Sequence, residues 1–204
     1  MADVTYVGKG ATISSCGRYR YRLWREWRLW PEPAKWDWWF DDDGKPVVDG
    51  AGKQLGEPLS CVFIMLNPST ADGETDDPTI RRCVGFARRW GYDRIDILNL
   101  FAYRATKPSE LLALGHEDDP VGSENQSHFN YVLADSYPVG LIVCAWGAHG
   151  GHLGQDETAI GWIGARDRFA LGLTKGGHPR HPLYFPADAE RVGFRPDGKG
   201  GGNG

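Results

Sequence analysis

Asn67, Asn99 and a pair of histidines, His178 and His181, are the side chains of this 204-residue chain whose types and settings suit chemistry on a polar ligand. Asn67 follows the unbroken apolar run C-V-F-I-M-L at 61–66 and precedes Pro68-Ser69, whereas Asn99 lies near the end of I-D-I-L-N-L at 95–100. A primary amide can hold a water or read the polar edge of a ring, and burying one without a partner costs roughly 1 to 3 kcal/mol. The histidines stand in G-G-H-P-R-H-P-L-Y at 176–184, where two His-Pro pairs give a stiff extended loop that presents imidazoles, a cation at Arg180 and an apolar tip at Leu183. Asp72, Asp76 and Asp77 supply carboxylates close behind the first asparagine, and one of them can serve as a general base. Asp77 also reads as a helix cap, and Asn67 taken alone as a turn former.

These groups need a frame. The run at 61–66 predicts a strand covered on both faces in a mainly parallel sheet, with Asn67 at its carboxyl end, where open α/β sheets bind ligands. Asp77-Pro78 starts a helix on which Ile80, Cys83, Val84, Ala87 and Trp90 keep the 3.6-residue period, Arg81, Arg82, Arg88 and Arg89 point outward, and Gly91 is the stop. A second strand at 95–100 completes a strand-helix-strand unit, for which parallel pairing is expected. Short helices at 108–114 and 121–136, a third strand at 139–145 ending in Trp146-Gly147, a glycine-rich loop with His149 and His152, and a helix over 157–171 follow.

Ahead of this unit, R-Y-R-Y-R-L-W at 18–24 alternates strictly, which predicts a strand with Arg18, Arg20 and Arg22 on one face and Tyr19, Tyr21 and Leu23 on the other. It reads either as a packed edge strand or as a surface that stacks and neutralises a single nucleic-acid strand. The tryptophan-rich segment 24–40 and a turn-rich excursion to Gly56 come next. The domain reading is an N-terminal extension at 1–17, a single α/β domain at 18–190 with N-terminal antiparallel strands added at one sheet edge, and a flexible glycine-rich tail at 191–204.

Formal charge is −4, which excludes holding nucleic acid by bulk charge and leaves a local patch as the alternative to an ordinary solvated face for the clusters at Arg18–Arg28 and Arg81–Arg89. The four cysteines, at 16, 61, 83 and 144, contain no C-x-x-C pair and read as buried thiols of a reducing compartment. The histidine spacing does not make a metal site, and no cofactor or obligate protein partner is expected. No segment approaches the roughly 18 apolar residues of a membrane span, and the chain is expected to be cytoplasmic.

Three apolar strands, each ending in polar punctuation, followed by a histidine loop, resemble the uracil-DNA glycosylase superfamily. M-L-N-P-S at 65–69 is similar to its first motif, whose Asn positions the attacking water; I-L-N-L at 97–100 resembles the strand end whose Asn reads the base; C-A-W-G at 144–147 resembles a third; and H-P-R-H-P-L-Y at 178–184 is similar to its closing motif with one residue inserted. The insertion leaves either His178 or His181 in the catalytic place. The whole chain resembles more closely a bacterial and phage family, domain-of-unknown-function family 1643, through L-N-P-S-T-A-D at 66–72, D-D-P-T at 76–79, N-L-F-A at 99–102, A-W-G at 145–147 and P-R-H-P-L-Y at 179–184, over roughly residues 18 to 185.

What the glycosylase resemblance implies is a three-layer sandwich and hydrolysis of a nucleobase N-glycosidic bond in DNA. The catalytic candidates are Asn67, His178, His181 and Asp77. Leu66, Pro68, Ser69, Asn99, Phe101, Trp146 and Gly147 would bind the base, Arg81, Arg104 and Arg180 the nucleic acid, and Leu183 or Tyr184 would wedge the duplex. Ser69 is small where uracil-specific members carry a bulky Tyr, which implies room for thymine or a larger modified base. Action on a free nucleotide or nucleoside, or binding of nucleic acid or nucleotide without catalysis, are the alternatives.

Overall fold

The computed structural model describes residues 4–27, 59–69, 71–134 and 139–195, and its centre is the apolar run that precedes Asn67. Among the described residues, seven strands form one mixed sheet: β1 Gly8–Ile13, β2 Arg20–Glu26, β3 Ser60–Met65, β4 Arg94–Asn99, β5 Val139–Cys144, β6 Phe169–Ala170 and β7 Val192–Gly193. Their order across the sheet is β1-β2-β4-β3-β5-β6-β7. The inner strands β4, β3, β5 and β6 are parallel, while β1, β2 and β7 pair antiparallel at the two sides. Strand β3 is buried at every position, as continuous hydrophobicity requires of a strand covered on both faces.

Among the described residues four α-helices connect them: α1 Pro78–Arg89, α2 Pro108–Leu112, α3 Asn125–Leu133 and α4 Gln155–Ile163. Alternate side chains of β3 enter two separate apolar clusters. Cys61, Phe63 and Met65 pack with Ile80, Cys83, Val84, Phe86 and Ala87 of α1, and Val62 and Ile64 pack with Phe129 and Val132 of α3 and Ala159 and Ile163 of α4. Each large apolar side chain so buried contributes about 1.5 to 3 kcal/mol. Asp77 caps α1 through Oδ1, which accepts from the Ile80 amide at 2.8 Å, and Pro78 fills the first turn. Gly91, at φ +82°, ends it.

From β3 the chain crosses through α1 to β4 on one side, then through α3 to β5 on the other. The carboxyl ends of β3 and β5 therefore diverge, and such a switch point opens a crevice in an α/β sheet. Met65 lies opposite Asn99, and Ile64 opposite Cys144, so all three polar strand ends sit on one edge.

Four expectations change. The sheet takes in residues outside 18–190 at both ends. Strand β1 covers β2, with Gly10 leaving room for the Trp24 ring, and β7 pairs with β6 while Phe194 buries against Trp146. The segment 157–171 is not one helix: Gly164, at φ +68°, stops α4, and the chain re-extends into the fourth parallel strand. Helix α3 starts at Asn125, because His116–Asp118 form a separate 3-10 turn and Gly122 takes φ +82°. Cys16 is exposed, whereas Cys61, Cys83 and Cys144 are buried, where desolvation pushes their thiols up. Most of the tryptophan-rich segment, the following excursion and the end of the tail lie outside the described residues.

The alternation at 18–24 also breaks. Thr12 lies opposite Arg22 and Ile13 opposite Arg20, so Tyr21 is an extra residue, a β-bulge. Tyr21 stacks on His128 of α3, and Arg22 on the same face lies over the rings of Trp24 and Tyr131. Arg20 and Arg25 turn to the opposite face. None of the three is a solvated cation: Arg20 is 2% exposed, Arg22 7% and Arg25 0%.

Candidate functional site

At the carboxyl edge of the parallel strands lies a cavity of ≈ 470 Å³. Asn67 and Leu66 come to it from the end of β3, Asn99 from β4, Trp146 and Gly147 from the end of β5, and Arg180, His181 and Tyr184 from the histidine loop. Asp77 enters from the start of α1 and Ser69 from the loop before it. Backbone bonds stitch these walls together. The Gly147 amide donates to the Pro179 carbonyl at 2.7 Å, and the Ala105 amide donates to the Pro68 carbonyl at 3.1 Å. Gly147 stands at φ +78°, which a side chain would strain, so the turn out of β5 depends on it.

Asn67 is fixed rather than loose. Its Nδ2 donates to the carbonyls of Ala105, at 2.8 Å, and Pro68, at 3.0 Å, which uses both amide protons and orients Oδ1 as the acceptor. Asn99 is the opposite. It is fully buried, and neither Nδ2 nor Oδ1 has a partner among the described residues. The Trp146 indole N–H, also buried, has no acceptor among the described residues either. Native proteins leave few buried polar groups unsatisfied, and such groups in a cavity mark where a ligand or water completes them.

His181 caps a 3-10 turn, Pro182–Tyr184, with Nδ1 accepting from the Leu183 amide at 3.3 Å. That assigns the neutral ring its proton on Nε2, as a donor. Burial lowers the pKa of His181 from the usual imidazole range, with the Asp77 charge opposing. Protonation of Nδ1 would also set two N–H groups against each other, so the neutral form is favoured twice over.

The remaining candidates divide. His178 does not line the cavity; its backbone pairs with Thr174, so of the two imidazoles only His181 meets the asparagines. Phe101 is not at the cavity either. It is fully buried in the cluster on the α3 face, its ring 5.6 Å from that of His152. Pro68 is buried and acts through its carbonyl. Leu183 and Tyr184 are exposed, 43% and 71%, on the His181 turn, and only Tyr184 lines the cavity. Arg104 lies in a neighbouring cleft with Arg18 and Tyr103, which shares Ser69, Ala105 and Thr106 with the main cavity. Arg81 lines a separate depression beyond α1 and donates to the Asp76 carbonyl at 2.6 Å.

Sequence reasoning passed over Arg20, Thr106 and His149, which also line the cavity. No pattern marks the last two; Arg20 was visible only as one of an alternating set. Among the described residues no group of three or more His, Cys, Asp or Glu side chains is placed to hold a metal, and no helix is long and apolar enough to cross a membrane.

No curated protein and no solved structure matches the chain. A family model matches residues 20–183, from the bulged strand β2 to the histidine loop, and so takes in the residues named above as lining the cavity except Tyr184. The chain belongs to the family described as protein of unknown function (DUF1643).

Proposed function

We propose that the chain hydrolyses the N-glycosidic bond of a nucleobase, with DNA as the substrate class. The observation that carries this reading is convergence: Asn67, Asn99 and His181, widely separated in sequence, line one cavity at the switch point, and the Asn99 amide has no partner among the described residues. An amide with one face of donors and one acceptor, both unmet, suits the alternating donor and acceptor edge of a pyrimidine. Helices packed on both faces of the sheet support a three-layer, glycosylase-like arrangement.

In this mechanism the nucleotide leaves the stack at a cost of a few kcal/mol, offset by Tyr184 and Leu183 at the rim and phosphate contacts from Arg180. The fixed Oδ1 of Asn67 holds a water against the anomeric carbon. The carbon–nitrogen bond breaks with its electron pair leaving on the base, the water oxygen bonds to the sugar, and its proton passes to Asp77, whose second carboxylate oxygen is not engaged by the cap. His181 Nε2–H donates to the base carbonyl as negative charge develops, and one such donor contributes roughly 3 to 4 kcal/mol.

Duplexes carrying uracil, thymine mismatches or 5-substituted pyrimidines, incubated with the protein and then treated with alkali, test it. Strand breaks at the target base are expected, reduced about 100- to 1,000-fold in Asn67→Ala. Binding without breaks would leave a non-catalytic module. A second reading keeps the site but acts on free nucleotides, and the formal charge of −4 favours it, since a DNA surface must then be local. Base release from nucleotides but not from duplexes would select it.

A further inference from the structure

The cavity contains a cation that none of its motifs explains. Strict alternation would put Arg20 on the face of Arg22, against α3. The bulge at Tyr21 reverses the phase, and Arg20 instead reaches the face of α1, where its Nη1 donates to the Ala71 carbonyl at 2.7 Å and the side chain lines the cavity. Bulges recur beside functional sites because they re-aim single side chains in this way.

Arg20 is 2% exposed, and its Nε has no partner among the described residues. Its neighbours on β2 differ in this respect: Arg22 meets Asp96 at 2.7 Å and Arg25 meets Asp76 at 2.7 Å, whereas among the described residues no carboxylate makes an ion pair with Arg20. The carboxylate that most favours its charge, Asp77, has Oδ1 occupied by the Ile80 amide. Burial lowers the Arg20 pKa to about 10, which still leaves it charged at neutral pH. A desolvated guanidinium without a bonded anion is unfavourable, and an oxyanion placed against it removes that cost with charge-assisted bonds. The cavity volume falls within the range of about 300 to 1,000 Å³ that takes whole small-molecule ligands, so it has room beyond one ring.

We propose that Arg20 is the anion-recognition group of this cavity, and that the ligand carries an oxyanion, a carboxylate or a phosphate, beside the neutral edge met by Asn99. The Asn99 part rests on the nucleobase reading; the charge preference stands without it. A carboxylate would belong to a substituted base, and a phosphate to a nucleotide.

Calorimetric titration of the full chain with uracil, 5-carboxyuracil, deoxyuridine and deoxyuridine monophosphate separates these sources. One charged probe is expected to bind about tenfold or more tighter than its neutral counterpart. That preference is expected to fall to about twofold or less in Arg20→Gln and to be kept in part in Arg20→Lys, whose ammonium supplies a point charge without the planar fork. Should Arg20→Gln lose its cooperative thermal transition, the Lys variant and the wild-type salt response decide, since a buried pair keeps its preference between roughly 0.05 and 0.5 M salt where an exposed one loses it. Equal affinity for charged and neutral probes, no binding of either charged probe, a preference undiminished in Arg20→Gln, or one abolished by salt overturns the proposal. No turnover is required, so absent strand breaks leave this result intact, and equal affinities leave the glycosylase reading intact.

Discussion

Strand β4 carries buried polar side chains near both of its ends, and the two ends treat them differently. Toward the amino end, Asp96 accepts from Arg22 Nε at 2.8 Å, from Arg94 Nε at 2.9 Å and from the Ser60 hydroxyl at 2.7 Å, and Arg94 reaches on to Glu26 at 3.2 Å. Burial pushes the Asp96 carboxyl up, but hydrogen bonding from Arg94 and the charges of Arg94 and Arg22 prevail and hold it below the usual carboxylate range. Three residues on, Asn99 is equally buried, and its side chain has no hydrogen-bond partner among the described residues. The first arrangement is closed and belongs to the fold. The second is open among the described residues, and it faces the cavity rather than the fold.

Breaking the closed end is expected to have the largest effect. Asp96→Ala leaves two desolvated guanidinium groups facing an empty position, and removing one member of a buried ionic cluster costs about 3 to 5 kcal/mol. Urea denaturation of wild type and variant measures this, and a loss below about 1 kcal/mol would erase the distinction between the two ends. The native carboxyl is depressed, so its contribution is present above the ordinary carboxylate pKa of about 3.9 and is lost as pH falls through the native value.

Asn99→Leu sharpens the contrast by predicting the opposite sign. It removes an unsatisfied buried amide and substitutes an apolar group of similar size, so stability is expected to hold or rise, by up to about 1 to 3 kcal/mol, while ligand affinity falls. The bonds from Asn125 Nδ2 run to the backbone carbonyls of Asn99 and Leu100 and survive the change. A destabilised variant would mean that Asn99 has a structural role.

His181 gives a smaller, pH-dependent effect. Burial lowers its folded pKa, and the same is true of His128, so below the free imidazole value of about 6.5 the unfolded chain binds more protons and stability declines as pH falls. Thermal melts from pH 8 to 5 should show this decline, reduced in His181→Asn and reduced separately in His128→Asn. If neither substitution changes the profile, other groups govern it.

The parts of this arrangement that were legible in the sequence are those where local chemistry and tertiary position agree. An unbroken apolar run gave β3, Asp77-Pro78 gave the start of α1, and strand-end polar residues brought Asn67 and Asn99 to one edge, because parallel strands share a direction. Strand β6, only Phe169 and Ala170, carries no periodicity and is defined by pairing to β5 and β7. Arg20 was misassigned for a sharper reason. Alternation is a rule for regular strands, and one extra residue at Tyr21 inverts every face before it. Phe101 follows Asn99 by two positions, but the chain has left the strand there, its amide bonding to the Leu66 carbonyl at 2.9 Å, so nearness in sequence does not carry its ring into the cavity.

The depression beyond α1 supplies the smallest expected effect and a second hollow against which the first is compared. At ≈ 790 Å³ it is larger than the switch-point cavity, and Lys9, Arg81, Arg82, Arg88 and Arg89 line it. By size and charge it would be the better candidate. Four of these five cations, however, are engaged: Arg81 on the Asp76 carbonyl, Arg82 on the Phe185 carbonyl at 3.0 Å, Arg89 on the Asp188 carbonyl at 2.9 Å and on Glu190, and Lys9 on Glu74 at 2.8 Å. Arg88 is exposed on the helix surface. Arg88→Ala is therefore expected to alter stability by no more than about 0.5 kcal/mol and to leave base release and probe binding unchanged. An Arg88→Ala variant that lost DNA affinity would assign the arginines of α1 to nucleic acid and make charge density the better guide; unchanged affinity leaves unmet hydrogen-bonding capacity as the feature that separates the two hollows.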